Sequence, residues 1–247
     1  MRNIWTIAKR EYKIYFSSPL AYLVILTIMA VVGVIFALNI AFLVNNPFGS
    51  SQAPDTRSQT QWIVILLVFL SPALTMRLLA DEQRMGTLEL MLTAPVRDWE
   101  LIVGKWFGSF LFVLTILGFS LIIPFMMNNM VTPGIDQQLM LSGYLGVILI
   151  ASAFLAIGTG ISSMFSNQFA AFFMTFIILF TLYFIIGAPA QILNTNGEIF
   201  RYLDMGRRFS ESLNQGIITL SDIVYFLSVT ALGLFIGSAA IETRRWR

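Results

Sequence analysis

The sequence predicts an all-α polytopic membrane protein with six transmembrane helices. Three observations lead there. Of 247 residues, 57% are hydrophobic and only 11% are charged, with a mean hydropathy of +0.80; soluble domains carry about 25% charged residues. The apolar residues gather into uncharged runs long enough to cross a bilayer core, which takes about 20 residues as helix. Those runs lack the period-2 alternation of barrel strands.

Each span follows from where charge is missing. The first is placed at 19–44. The second is 62–79, with Arg77 near its end. The third is 106–127. No charge falls between Gln137 and Gly197, an interval too long for one span and right for two. The polar stretch from Ser162 to Gln168 divides it into 139–164 and 169–192. The sixth is 223–241. Residues 1–247 are read as a single transmembrane domain. The first run is too long for a signal-peptide core and no small-x-small cleavage site follows it, so the first span is expected to be retained.

Lys and Arg set the orientation. Arg2, Lys9, Arg10 and Lys13 precede the first span; Arg84, Arg97 and Lys105 follow the second; Arg244, Arg245 and Arg247 follow the sixth. With six spans all three groups share one side. Arg57, Arg201, Arg207 and Arg208 lie on the other and do not reverse the bias. Both termini are therefore expected in the cytoplasm.

Three segments outside the spans carry a pattern. In the N-terminal one, Ile4, Ala8, Tyr12, Tyr15 and Phe16 line one helical face and Arg2, Lys9 and Lys13 another. Such a basic amphipathic helix lies in the headgroup plane. It serves as an anchor for the first span, or as an elbow that also helps a partner dock.

The second is the charged island at 81–96, between spans two and three. Gly86 breaks the preceding helix. Thr87 can cap a new one, and Glu89 sits in its first turn, where the helix dipole favours negative charge. Leu88, Met91 and Leu92 share a face, and Pro95 stops the helix. A short capped amphipathic helix tied to two spans suits a handle presented outside the bilayer; an ordinary interfacial connector satisfies the same pattern.

The third segment is 193–222, the longest connection between spans. Phe200, Leu203, Phe209 and Leu213 alternate with Arg201, Asp204, Arg207, Arg208 and Glu211. It reads as short amphipathic helices on the outer surface, with the apolar residues toward the membrane or a partner copy and the arginines toward water or lipid phosphates. Ser221 and Asp222 are expected to cap the last span. A loop this long with its own pattern is commonly functional.

Absences narrow the chemistry. The chain has no cysteine and no histidine, so thiolate metal sites, His-based acid–base catalysis and the zinc-protease motif are excluded. No Asp, Glu, Lys or His is expected deep in a span, which argues against a proton- or sodium-coupled carrier acting alone. Arg77 is expected to snorkel or to pair with Asp81. Gly104-Lys105 is followed by Trp106, so no phosphate-binding P-loop forms there. Uphill transport would need energy from a partner. The small-residue pairs Gly104/Gly108, Ala156/Gly160 and Gly233/Gly237 allow helices to approach closely, inside one chain or at a dimer seam.

Three stretches carry a family resemblance. The first is Ala8-Lys9-Arg10-Glu11-Tyr12-Lys13 ahead of Phe16-Ser17-Ser18-Pro19. The second is Asp81-Glu82-Gln83-Arg84-Met85-Gly86-Thr87-Leu88-Glu89, followed by Leu92, Pro95 and Gly104-Lys105. The third comprises Phe209-Ser210-Glu211, Gly216-Ile217-Ile218, Asp222 to Phe226 and Arg244-Arg245-Trp246. Over nearly its whole length the chain resembles the permease subunit of type-2 ABC transporters. It is most similar to the gliding-motility permease branch, whose relatives include the permease for nitrous-oxide-reductase maturation. One departure is Gln83, which stands between the paired acids and Arg84.

The resemblance implies a multi-pass protein of the bacterial cytoplasmic (inner) membrane that pairs with a second permease copy, identical or not, and sits on two cytoplasmic ATPase subunits. It leaves room for a further membrane or periplasmic auxiliary subunit, and implies no nucleic acid. ATP and Mg would belong to the ATPase; this chain would hold no cofactor or metal and would not itself be an enzyme. Asp81, Glu82, Arg84, Gly86, Thr87, Leu88, Glu89, Leu92 and Pro95 would form the coupling element. Phe200, Leu203, Phe209 and Leu213 would belong to an outer gate, and the function would be ATP-driven export or extraction. A membrane scaffold anchoring an ATPase for mechanical work on a protein complex would have much the same sequence. Polar residues in the spans, such as Thr27, Asn39, Ser71, Thr75, Ser120, Thr159 and Thr181, are commonly helix–helix glue and do not identify a substrate.

Overall fold

A computed structural model describes residues 2–45, 55–86, 97–130, 134–189 and 198–245, and among them every regular element is a helix. The elements are α1 (Arg2–Ser17), α2 (Pro19–Asn45), α3 (Arg57–Thr75), α4 (Ala80–Arg84), α5 (Asp98–Ser120), α6 (Ile122–Met130), α7 (Gln137–Ser162), α8 (Gln168–Phe180), a π-turn (Thr181–Ile185), α9 (Glu198–Leu203), α10 (Met205–Glu211), a 3₁₀ turn (Leu213–Gln215) and α11 (Leu220–Arg245). Six stretches are long and apolar enough to cross a membrane: Ala21–Phe42, Arg57–Arg84, Asp98–Met130, Gln137–Ser162, Gln168–Ile185 and Leu220–Thr243.

The second and third spans are longer than the uncharged runs suggest, because the polar residues at their ends find partners within the bundle. At the start of α3, Thr60 Oγ1 donates to Asn214 Oδ1 at 2.6 Å, and the Gln59 amide reaches Met127 Sδ at 3.1 Å. At the start of α5, the Glu100 carboxylate accepts from the Arg97 backbone N–H at 3.2 Å and from the Asn3 amide at 3.1 Å. Orphan amides and charges that would end a helix in water are satisfied here, so the helix continues.

Burial ranks the helices. In α7, 67% of the apolar window is buried inside the chain, and in the α3–α4 span 61%, against 17% in α2. The core is therefore built on α7 and α3, with Val64, Leu67, Val147, Ile150 and Phe154 all fully enclosed. Their burial leaves α2 to present Tyr22, Leu26, Leu38 and Phe42 outward.

All three small-residue pairs are used inside the chain. Gly104 lies against Ile4 and Ile7 of α1, and Gly108 against Ala8 and Glu11. A Cβ on Gly160 would sit 2.6 Å from the Gly233 carbonyl oxygen, and one on Gly233 would sit 2.7 Å from the Ala156 carbonyl carbon. Ala156/Gly160 and Gly233/Gly237 thus form the two halves of one crossing, where α7 and α11 meet backbone to backbone. Close approach of this kind gives dispersion contacts that lipid cannot match. Side-chain hydrogen bonds extend it, with Ser152 Oγ 3.0 Å from Thr230 Oγ1.

Substitution at this crossing should be costly. Gly233→Ala must push two backbones apart, and overpacking of a tight core costs about 1–3 kcal/mol. The expected outcome is a lower melting temperature in detergent. Gly33→Ala on α2 meets nothing within 4 Å and should leave melting unchanged or slightly raised. Equal behaviour of the two variants would refute the crossing.

Candidate coupling site

The second span does not run straight into the charged island. Pro72 lies within α3, and the helix gives way to turns over 76–79 before α4 resumes. A helix that restarts in the interior leaves amides without partners. Ser162, fully buried at the end of α7, meets them: its Oγ accepts from Leu79 N and Ala80 N at 3.2 Å each and donates to the Met76 carbonyl at 3.3 Å. Gln83 adds a bond from its side-chain amide to the Ser163 carbonyl at 2.6 Å. The break is thereby stapled to α7.

Beside it lies the most charged part of the interior. Lys105, only 2% exposed, donates from Nζ to Glu11 Oε1 and to Glu82 Oε1, each at 2.8 Å. Three elements remote in sequence meet at one ammonium: Glu11 from α1, Glu82 from α4 and Lys105 from α5. Both carboxylates are buried as well. The arrangement depends on how α1 packs. It follows the first half of α5 in the same direction, with Ile7 at Gly104, Glu11 at Gly108 and Tyr15 stacked on Phe112 at 4.9 Å. The face expected to rest in the headgroup plane is thus largely covered by α5. Tyr15 closes the seam, its hydroxyl donating to the Leu74 carbonyl at 2.9 Å; burial lifts the phenol well above its ordinary pKa.

A cavity of about 400 Å³ adjoins the triad, lined by Arg10, Tyr15, Arg77, Asp81, Met85 and the triad itself. Two carboxylates and one ammonium leave a formal negative excess, which Arg10 and Arg77 on the cavity wall offset. Arg77 and Asp81 both face this space, and the bridge expected between them is not among the ion pairs of the described residues. The triad locks α1, α4 and α5 together: removing one partner from a buried ion cluster leaves charge uncompensated and costs about 3–5 kcal/mol.

Of the expected coupling residues, Glu82 points inward to Lys105, Asp81 is half-buried, Arg84 and Gly86 are exposed, and Gly86 takes a positive φ of 68°, a conformation that favours glycine. Thr87, Leu88, Glu89, Leu92 and Pro95 lie outside the described residues. A third span beginning at 106 leaves Lys105 in the preceding loop, whereas α5 starts at Asp98 and carries it into the interior. The signal of the triad was present: Glu11 falls on the same stripe as Ile4, Ala8 and Tyr15, an acid on an apolar face that requires a buried cation.

At the opposite end, the connection after α8 packs onto the bundle. Phe209 and Leu213 are fully buried against Gly146 of α7 rather than against a membrane or a partner copy, Phe200 is half-buried and Leu203 lies at the surface. Arg201 and Arg207 are exposed, Arg207 pairing with Glu211. Arg208 departs from the expected outward position. Its guanidinium lies between the Tyr202 and Tyr225 rings at 4.4 and 4.5 Å and donates to Asp222 Oδ1 at 2.7 Å. Stacking on two aromatic faces and a carboxylate compensates its lost water. The cap of α11 is Thr219, whose hydroxyl accepts from Asp222 N at 3.3 Å and donates to Asp222 Oδ2 at 2.6 Å. Asp222 holds the third turn position of that cap and Ser221 is exposed, which corrects the expected cap at Ser221 and Asp222.

Comparison with known proteins adds one match. The family model described as "ABC-2 family transporter protein" matches residues 40–244, which takes in α3 to α11 and both ends of the bundle. No curated protein matches the chain.

The triad predicts a non-additive mutant series. Lys105→Met alone leaves two buried carboxylates facing each other and should destabilise by about 3–5 kcal/mol. Adding Glu11→Gln and Glu82→Gln removes the stranded charges and should recover most of that loss. Melting curves of the single and triple variants in detergent decide it; additive losses would show that the three groups do not act as a unit.

Proposed function

The chain belongs to the ABC-2 family of transporter proteins, and from that premise we propose that it couples ATP hydrolysis by a cytoplasmic ATPase partner to export or extraction of a substrate across a bacterial inner membrane. Membership makes it the membrane subunit of an ABC transporter, with the ATPase in another chain. The observation that carries the coupling is the Lys105 triad. The chain leaving α4 at Gly86 starts from an element bonded to α1, α5 and α7 at once. A push delivered there reaches the N-terminal helix and the third and fourth spans together rather than dissipating in a loop.

In this reading residues 87–96 form the docking helix, and both termini lie in the cytoplasm with it. A second permease copy completes the path, and the connection 193–222 closes its outer end. The gliding-motility branch is the assignment that the quoted motifs favour. The domain is treated as one unit from 1 to 247.

Docking is tested at Arg84, which is exposed, and at Glu89, since Glu82 is committed to the interior. Arg84→Glu with Glu89→Lys should abolish co-purification of the ATPase without lowering the melting temperature. Lys105→Met with both glutamine substitutions should keep the ATPase bound but lose substrate-stimulated hydrolysis. Retention of both binding and stimulation in the first variant would reject 87–96 as the docking element.

Topology has a separate test, because the chain has no cysteine of its own. A cysteine at Asn3 should be silent to an impermeant maleimide in intact cells and react after lysis, whereas one at Ile217 should react in both. Labelling of Asn3→Cys from outside would invert the orientation.

A further inference from the structure

The outer face of the α1–α5 seam carries a groove that the coupling role does not use. It has a volume of about 570 Å³ and is lined by Trp5, Lys9, Tyr12 and Lys13 of α1 and by Leu111, Leu114 and Thr115 of α5. That size is typical of sites for small organic molecules, about 300–1,000 Å³. The α1 residues recur at helical spacing on one face, and Trp5 packs toward Phe107 of α5 with ring centroids 6.2 Å apart. The two polar groups on the floor satisfy each other, Tyr12 Oη and Thr115 Oγ1 lying 3.0 Å apart. What remains for an occupant is an apolar wall and two ammonium groups.

Those ammonium groups are unmatched. Lys9 and Lys13 are exposed and take part in none of the ion pairs among the described residues. The only acid on α1 is Glu11, which is engaged by Lys105. A second hollow on the far side of the same lysines is lined by Thr6, Arg10 and Ser17, so positive charge surrounds the mouth of the groove. An occupant must be anionic at one end and apolar at the other, and must approach from a membrane, since α5 is a spanning helix.

We propose that this groove binds an anionic phospholipid, with its phosphate at Lys9 and Lys13 and an acyl chain along Leu111 and Leu114. Trp5 closes the rim, as indole rings do at headgroup level. The lipid would brace α1 against α5 from outside while the triad braces it from inside. This inference rests on the chain being a membrane protein and not on its ATPase partnership.

The test uses full-length protein purified in detergent and stripped of lipid. Phosphatidylglycerol and phosphatidylcholine of identical acyl chains are titrated, with bound lipid read by native mass spectrometry and stability by melting. Phosphatidylglycerol should bind in preference and raise the melting temperature. Lys9→Gln with Lys13→Gln should weaken it by roughly tenfold to thirtyfold, as expected for two basic residues at an anionic surface, without changing melting of the lipid-free protein. Leu114→Trp, which fills the apolar wall, should weaken both lipids. Equal binding of the two lipids, indifference to the lysine substitutions, or full stabilisation by inorganic phosphate alone would each overturn the proposal.

Discussion

One buried ammonium organises the inner half of this molecule. Lys105 lies on a helix that is otherwise apolar for most of its length, and a lysine there is tolerable only if carboxylates come to it. They come from two places the chain could have left apart: the seam of the N-terminal helix and the restart of the second span. Apolar side chains of equal volume could hold the three helices as firmly. What the ion pairs add is register, because an acid at position 11 and another at position 82 must each reach the same nitrogen at hydrogen-bond distance.

The second span is the other half of that design. Its helix is interrupted at 76–79, and Ser162 makes the interruption stable by meeting the unpaired amides and carbonyl itself. Thr75, packed against Gly158 just before the break, shows why glycine is needed there: a Cβ would fall on its hydroxyl. At the far end of α7, Gly146 receives Phe209 and Leu213 in the same manner. One central helix therefore touches both the triad end and the opposite, covered end, and a shift of α7 is felt at both.

Much of this was legible in the sequence. Composition and uncharged runs identify the six spans, and the glycine spacings identify the close crossings, though not their partners. Ala156/Gly160 and Gly233/Gly237 can be recognised as adhesive from either helix alone; that they adhere to each other depends on three-dimensional packing. Span ends were harder. A charge is ordinarily where a membrane helix stops, and Glu100 and Lys105 break that rule because Asn3, Glu11 and Glu82 satisfy them from other segments. Arg208 fails the same rule at the opposite end, since two tyrosines and Asp222 replace its water. Local pattern reports what a residue would prefer in isolation, whereas each of these positions takes at least one partner 14 to 97 residues away in sequence.

The α7–α11 crossing bears on how the protein is made. Gly158 and Gly146 find their covers in segments on either side of α7, but the atoms nearest to Gly160 all belong to Gly233 and Gly237 of α11. During synthesis α7 emerges long before α11. Until then its glycine face presents bare backbone to lipid, with no side chain to fill the notch. The central helix of the fold thus waits for the last span to complete it, and a nascent chain stalled before residue 233 would display an open notch along α7.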